Sequence, residues 1–308
     1  MNVIITGATG FLGKYLLKRF VEDKSNVVVI TRNAKKIDEE IRQKITIIES
    51  NLAGLKNITN TLAEGCFEGY IFYHFAWEGT SGNIRGDKEC QLYNVTYACD
   101  ALKLAKKMGC KKFIYAGSIM EYEIMKNILR DGYRPGITSY YAISKLTADF
   151  MLKTMAANLN VQYINLIISN IYGPGEDSAR FLNSVLRKML HNEPIEMTEG
   201  LQLYDFIYLE DAIQAFIAVG LRGEGYASYY IGNKSPRPLR DYIIEMKEIL
   251  GSDSELRFGT ITFKDIGLSY QEFNTNSLES IGANPQISFR QGIVQTKEWI
   301  QNSKKETK

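Results

Sequence analysis

Asn2-Val3-Ile4-Ile5-Thr6-Gly7-Ala8-Thr9-Gly10-Phe11-Leu12-Gly13 is the stretch that decides how this chain reads. A short apolar run ends in three glycines spaced G-x-x-G-x-x-G, and an amphipathic stretch, Phe11–Glu22, follows at once. A turn this tight needs residues free of the β-carbon penalty, and glycine lets the backbone come close to a ligand. The helix behind it offers unpaired N–H groups and the positive end of its dipole to an anion. Between a first strand and a first helix, the triplet predicts a pyrophosphate cradle. Gly7, Thr9, Gly10, Phe11, Leu12 and Gly13 are the candidate dinucleotide-binding residues.

Outward from the cradle, apolar runs alternate with amphipathic ones. Asn2–Thr6, Asn26–Thr31, Ile45–Ile48, Tyr70–Phe75, Lys112–Ala116 and Gln162–Ile168 read as strands, nearly continuous in apolar character as strands buried on both faces should be. Phe11–Glu22, Asp87–Met108 and Tyr141–Asn158 read as helices between them. Such alternation predicts an α/β fold, a doubly wound parallel sheet of Rossmann type over residues 1–169. From about Ser169 the pattern loosens into loops and the helical runs Arg180–Leu190, Glu210–Leu221, Leu239–Leu250 and Arg290–Gln301. Residues 170–308 therefore read as a smaller substrate domain, with about 205–232 packing back on the first.

Dinucleotide folds that take NAD place an acid at the end of the second strand to accept from the ribose 2′-hydroxyl. Here that strand ends Ile30-Thr31-Arg32-Asn33, with Lys35 and Lys36 following. Arg32 offers a planar fork suited to a 2′-phosphate, so NADP is favoured over NAD. The plainer alternative is that Arg32 stacks on adenine while the lysines are a solvated helix start.

The strand Lys112–Ala116 runs out through Gly117 to Ser118, and Tyr141 and Lys145 stand four apart where a helix opens. One helical turn puts phenol and ammonium on the same face. A free tyrosine titrates near pH 10, and a neighbouring ammonium stabilises its phenolate. Ser118, Tyr141 and Lys145 thus form a candidate catalytic set for moving a proton at a carbinol or carbonyl oxygen. The spacing alone is weak, because Tyr122 and Lys126 repeat it. Tyr122 follows the strand directly, too close to Ser118 for a separate catalytic helix, and so Tyr141 is preferred.

Composition narrows the field. A formal net charge of +2 on 308 residues gives no footprint for nucleic acid or an anionic membrane. Cys66, Cys90, Cys99 and Cys110 form no C-x-x-C pair and there are only two histidines, so no metal site is expected. The cradle starts at the very N-terminus and no apolar run approaches a membrane span, which reads as a reduced, cytoplasmic protein.

Together these motifs resemble the extended short-chain dehydrogenases/reductases of the NAD-dependent epimerase/dehydratase family, over nearly the full length. Besides the glycine loop and Ser118/Tyr141/Lys145, His74-Phe75-Ala76-Trp77 resembles the family's H-x-A-A. Asn94 resembles the helix asparagine that steadies the active-site backbone. Asn170-Ile171-Tyr172-Gly173-Pro174-Gly175 resembles N-x-Y-G-P-G, and Asp205-Phe206-Ile207-Tyr208-Leu209-Glu210-Asp211 resembles D-F-I-Y-V-E-D. The resemblance implies a nucleotide-sugar substrate, Phe75 and Ala76 beside the cofactor, and Trp77, Ser118, Asn170 and Arg180 as substrate contacts. It also implies a homodimer built on the helices Asp87–Met108 and Tyr141–Asn158.

The chain departs from the family at three places. Ile119 and Met120 stand where the 4,6-dehydratases carry an Asp-Glu pair, so dehydration is not expected; Glu121 is one place further on. Tyr204 and Ile167 replace two expected arginines, leaving Arg180, Arg237, Arg240 or Arg257 for the substrate pyrophosphate or simply as surface residues. Trp77 replaces a small residue, either narrowing the pocket or serving the core. The expected activity is reduction of a 4-keto sugar nucleotide, with 4-epimerisation by a recycled cofactor, or a non-catalytic NADP-binding protein, as alternatives.

Overall fold

Val, Ile, Phe and Tyr in runs of four to seven residues need cover on both faces, and a parallel sheet sandwiched between helices supplies it. The computed structural model, which describes residues 1–127, 130–178, 180–262, 268, 270–271, 273 and 277–306, contains such a sheet. Its strands are β1 (Asn2–Thr6), β2 (Asn26–Thr31), β3 (Thr46–Glu49), β4 (Ile71–His74), β5 (Lys112–Ala116), β6 (Gln162–Ile168) and β7 (Ser228–Ile231). Their order is β7-β6-β5-β4-β1-β2-β3, and every ladder from β3 across to β6 is parallel. Between them run α1 (Phe11–Glu22), α2 (Glu39–Arg42), α3 (Leu55–Thr61), α4 (Lys88–Lys107), α5 (Met120–Asn127) and α6 (Ser139–Leu159). β1 pairs with both β2 and β4, so the winding reverses beside it and opens a crevice at the carboxyl ends of the strands.

The chain forms two compact units. The first comprises Met1–Ile168 with Phe216–Tyr229; the second comprises Ser169–Ala215 with Tyr230–Lys308. In the first, Val3, Ile4, Ile5, Phe72, Phe113 and Ile114 are sealed from solvent. Helix limits differ slightly from the sequence reading. Asp87 caps α4 rather than joining it, its Oδ1 accepting from Cys90 N at 3.1 Å, and α6 begins two residues before Tyr141. Lys112, buried at the start of β5, donates to the carbonyls of Gly220 and Gly223 at 3.0 and 2.8 Å. It thereby satisfies the free carbonyl end of the helix Leu209–Arg222.

The second unit is held by an aromatic core of Tyr172, Phe206, Tyr242 and Phe289. The acids of the Asp205–Asp211 stretch are local staples. Asp205, fully buried, accepts from the Tyr230 hydroxyl at 2.6 Å and from the amides of Asn233 and Lys234. Asp211 accepts from the amides of Gln286 and Ile287. Among the described residues no helix is long and apolar enough to cross a membrane, and no group of His, Cys, Asp and Glu is arranged to hold a metal.

Candidate active site

The three glycines differ in what requires them. Gly7 has φ +79°, and a β-carbon there would lie 2.6 Å from the backbone of Phe75 and Ala76. A β-carbon on Gly13 would collide with the Gly7 carbonyl. These two are demanded by the fold. Gly10 is not: its φ is −85°, and a β-carbon would meet nothing nearer than the Gly7 carbonyl at 3.5 Å. Gly10 is the N-cap of α1 and has no side chain to cap it, which leaves the first amides of the helix for a ligand. The space a β-carbon would fill is open to a pyrophosphate, so the loop fits a dinucleotide.

A cavity of about 270 Å³ adjoins this loop. Gly7, Thr9, Gly10, Arg32, Phe75 and Ala76 line it, and so does Trp77. Phe11, Leu12 and Gly13, also expected at the cofactor, are not part of its wall; Phe11 turns its ring edge to Tyr15 and Gly13 serves packing. The sequence reading missed Asn51 and Leu52, which follow β3 and line the same cavity. Their position at a strand's carboxyl end, next to the cradle strand's neighbour, is the signal that could have found them.

Arg32 is not a free fork. Its Nη1 lies 2.8 Å from Oε1 of Glu78, a further cavity residue the sequence reading passed over. Asn94 fixes Glu78 from behind, donating to its carbonyl at 2.8 Å and accepting from its amide at 2.9 Å. One ion pair thus unites the arginine that follows β2 with an acid from the loop after β4.

Tyr141 and Lys145 sit in the first two turns of α6. Lys145 is 4% exposed, and its Nζ donates to the Ala116 carbonyl at 2.7 Å. The same Nζ lies 3.8 Å above the Trp77 ring, 4.9 Å from the Tyr115 ring centroid and 5.9 Å from that of Tyr141. Trp77 meets the Tyr141 ring edge-on at 6.4 Å and donates its indole N–H to Gln91 Oε1 at 2.9 Å. Trp77 is therefore an aromatic wall that holds an ammonium, rather than a plain core residue. Arg85, another residue not foreseen, stands over the Tyr141 ring at 4.5 Å.

Burial without enough counter-charge lowers the Lys145 ammonium, and Glu121 opposes that shift. Glu121 is itself pushed up, first by burial and then by Asp149. His74 is sealed beneath the site, its Nδ1 bonded to Thr6 Oγ1 at 2.8 Å; burial, then Lys145, drive its pKa down to about 3. It is a neutral structural imidazole.

Tyr122 is not too close to Ser118 to lie on a helix of its own. A helix, α5, does form immediately after Ser118 and carries both residues. What separates the two pairs is burial: Lys126 is exposed, whereas Lys145 is sealed against Trp77. Ser118 is buried, its Oγ accepting from Met120 N at 3.2 Å.

Asn170 and Arg180 belong to the second unit. Asn170 donates to the Asp205 carbonyl at 3.3 Å. The four arginines considered for pyrophosphate are all engaged there: Arg180 with Glu176, Arg237 with Glu245, Arg257 with Glu255, and Arg240 over the Phe258 ring.

The model of the NAD dependent epimerase/dehydratase family matches residues 3–232, from β1 through β7. The chain belongs to the NAD dependent epimerase/dehydratase family. Within that family it is 25% identical over 304 residues to CDP-abequose synthase of Salmonella typhimurium, covering 94% of this chain and 95% of that protein. It is 24% identical to the dTDP-D-glucose 4,6-dehydratase of Mus musculus, over 98% of this chain and 89% of the other. In structure it resembles UDP-glucose 4-epimerase of Thermotoga maritima, solved with UDP-glucose, with a TM-score of 0.76 at 18% identity over 98% and 99% of the two chains. The proteins similar to this chain thus bear the names of a synthase, a dehydratase and an epimerase.

Proposed function

We propose that this protein reduces the 4-keto group of a nucleotide-linked sugar. One conjunction carries the reading: the chain has the packed Tyr141–Lys145–Trp77 group, and it has apolar residues, Ile119 and Met120, at the sequence positions where a dehydratase would keep its acid and base. The first can exchange a proton with an oxygen at C4. The second leaves nothing to take a proton from carbon and expel water. Glu121 does not substitute, because its carboxylate is turned inward onto Ser118 N and Asn165. The name of the Salmonella relative, a synthase of a CDP-linked sugar, supports a nucleotide sugar as substrate.

When bound, a reduced nicotinamide supplies hydride to the C4 carbon. Gly7, Thr9 and Gly10 would hold its pyrophosphate, and Phe75 and Ala76 would flank it. Tyr141 gives its phenolic proton to the C4 oxygen, Ser118 donates to that oxygen as charge develops, and Lys145 stabilises the phenolate left behind. NADP fits the cations Arg32, Lys35 and Lys36.

The Arg32–Glu78 ion pair favours a second reading, a 4-epimerase that retains NAD. With Arg32 already neutralised, a 2′-phosphate would approach a carboxylate, whereas a 2′-hydroxyl could donate to it.

Dinucleotide released from denatured protein, identified by mass spectrometry, separates the two. An empty site, together with oxidation of NADPH by a panel of CDP-, dTDP- and UDP-linked 4-keto sugars, supports reduction. Retained NAD with interconversion of 4-hydroxy epimers overturns it. Tyr141→Phe should abolish turnover while leaving dinucleotide affinity nearly unchanged; if binding collapses, Tyr141 is structural.

A further inference from the structure

Glu121 has no part in the chemistry above, yet it is the most deeply placed acid near it. It is 1% exposed, in the first turn of α5. Its Oε1 accepts from Ser118 N at 2.7 Å and its Oε2 from Asn165 Nδ2 at 3.1 Å. Both oxygens therefore face donors. An ionised carboxylate suits two donors, whereas a carboxylic acid would need an acceptor for its proton. The backbone amide of Ser118 can never be that acceptor.

Lys145 approaches the same short piece of chain. Its Nζ donates to the carbonyl of Ala116, while Glu121 receives the amide of Ser118. Between these two points lies Gly117, packed so closely that a β-carbon there would fall 2.7 Å from Glu121 Oε1. Anion and cation thus grip the carboxyl end of β5 within three residues. The other titratable groups around them are Tyr115 from β5, Tyr141 and Asp149 from α6, Tyr163 from β6 and His74 from β4. Asp149 accepts from the Tyr163 hydroxyl at 2.7 Å, and His74 is neutral. Lys145 is the cation set against Glu121.

We propose that Glu121 is a positioning residue whose carboxylate is the buried counter-charge of Lys145, keeping the amine protonated while fixing the backbone of Ser118. A buried lysine without an anion loses its proton readily, and a neutral Lys145 could not stabilise a Tyr141 phenolate. The bearing of this on turnover rests on the proton-relay reading above; the charge relation itself does not.

The test reads the amine directly, with no substrate. In full-length protein carrying ¹³C at the lysine ε-carbon, the Lys145 signal is assigned by its loss in Lys145→Met and titrated against pH. Glu121→Gln is close to isosteric: its oxygen still accepts from Ser118 N, and a turned Asn165 amide accepts from its NH₂. The Lys145 midpoint should fall by about one pH unit or more in that variant. Glu121→Asp, which keeps the charge, should hold it nearer the native value. An unchanged midpoint in folded Glu121→Gln overturns the proposal. The reciprocal measurement avoids that variant altogether. With ¹³C at the glutamate δ-carbon, the Glu121 midpoint should rise in Lys145→Met, as linkage requires, and no rise overturns the proposal equally. If both shifts appear while Tyr141→Phe leaves turnover intact, the pairing stands and the reading of the reaction fails. With a substrate in hand, Glu121→Gln should also move the alkaline limb of kcat to lower pH without weakening dinucleotide binding.

Discussion

The guanidinium carbon of Arg85 lies 4.5 Å above the centre of the Tyr141 ring. The Lys145 ammonium lies 5.9 Å from the same ring centre, and a cation near a phenol favours the phenolate as a matter of general electrostatics. Arg85→Ala should therefore lower kcat by about tenfold, as expected for loss of one such contact, while dinucleotide affinity stays unchanged. Arg85→Lys should recover part of the loss. Steady-state kinetics on both variants checks this, and an effect confined to KM would instead make Arg85 a substrate anchor.

Gly10 and Gly7 should respond oppositely to alanine. Gly10→Ala leaves the fold room, so the melting temperature should hardly move while dinucleotide affinity falls about tenfold or more. Gly7→Ala forces φ +79° on a residue with a β-carbon that meets backbone at 2.6 Å. It should destabilise the protein by about 2 kcal/mol or more. Differential scanning fluorimetry with and without cofactor reads both.

The Arg32–Glu78 pair predicts how cofactor choice can be moved. Both side chains are largely exposed, so the pair adds little stability, and breaking it should leave the fold intact. Glu78→Ala frees Arg32 for a 2′-phosphate and should shift the NADP:NAD affinity ratio towards NADP about tenfold. Calorimetric titration of each dinucleotide is the measurement; a ratio that does not change removes Glu78 from cofactor selection.

His74 makes stability depend on pH in a defined direction. Its pKa falls from 6.5 to about 3 on folding, so the unfolded chain binds the extra proton between those values. The stabilisation is complete above pH 6.5 and is lost as pH falls towards 3, on the order of 5 kcal/mol in total. The raised carboxyls of Glu121 and Asp149 work in the opposite sense, since the folded state holds their protons longer. Comparing urea midpoints of wild type and His74→Asn across this range isolates the imidazole, and the variant should show the shallower decline on acidification.

Exposed apolar side chains on the long helices bear on assembly. Leu92 and Tyr93 on α4, and Phe150 and Met151 on α6, are all about half exposed. A two-fold dimer that covers these faces is the expected outcome. Light scattering at micromolar concentration should give twice the chain mass, and Phe150→Glu should give the single-chain mass.

The sheet could be read from the sequence because its strands are apolar on both faces and carry the glycine loop at the first crossover. Limits slipped where a cap or a first turn decides them, as at Asp87 and Ser139. Tyr141 and Lys145 are local, four residues apart on one helix, and so their shared face was visible. Glu78, Arg85 and Glu121 were not, because their meaning lies in partners distant in sequence: Arg32 is 46 residues from Glu78, and Asn165 is 44 from Glu121. Spacing also misjudged Tyr122, since a helix can begin two residues after Ser118.

Lys112, clasping the carbonyls of Gly220 and Gly223, has a consequence for biosynthesis. The first unit takes its last strand and the partners of this ammonium from residues made some fifty positions after Ile168. A nascent chain ending near Ile168 would emerge with one flank of β6 bare and a sealed cation unmatched. Maturation of the N-terminal half must therefore wait for most of the polypeptide to leave the ribosome.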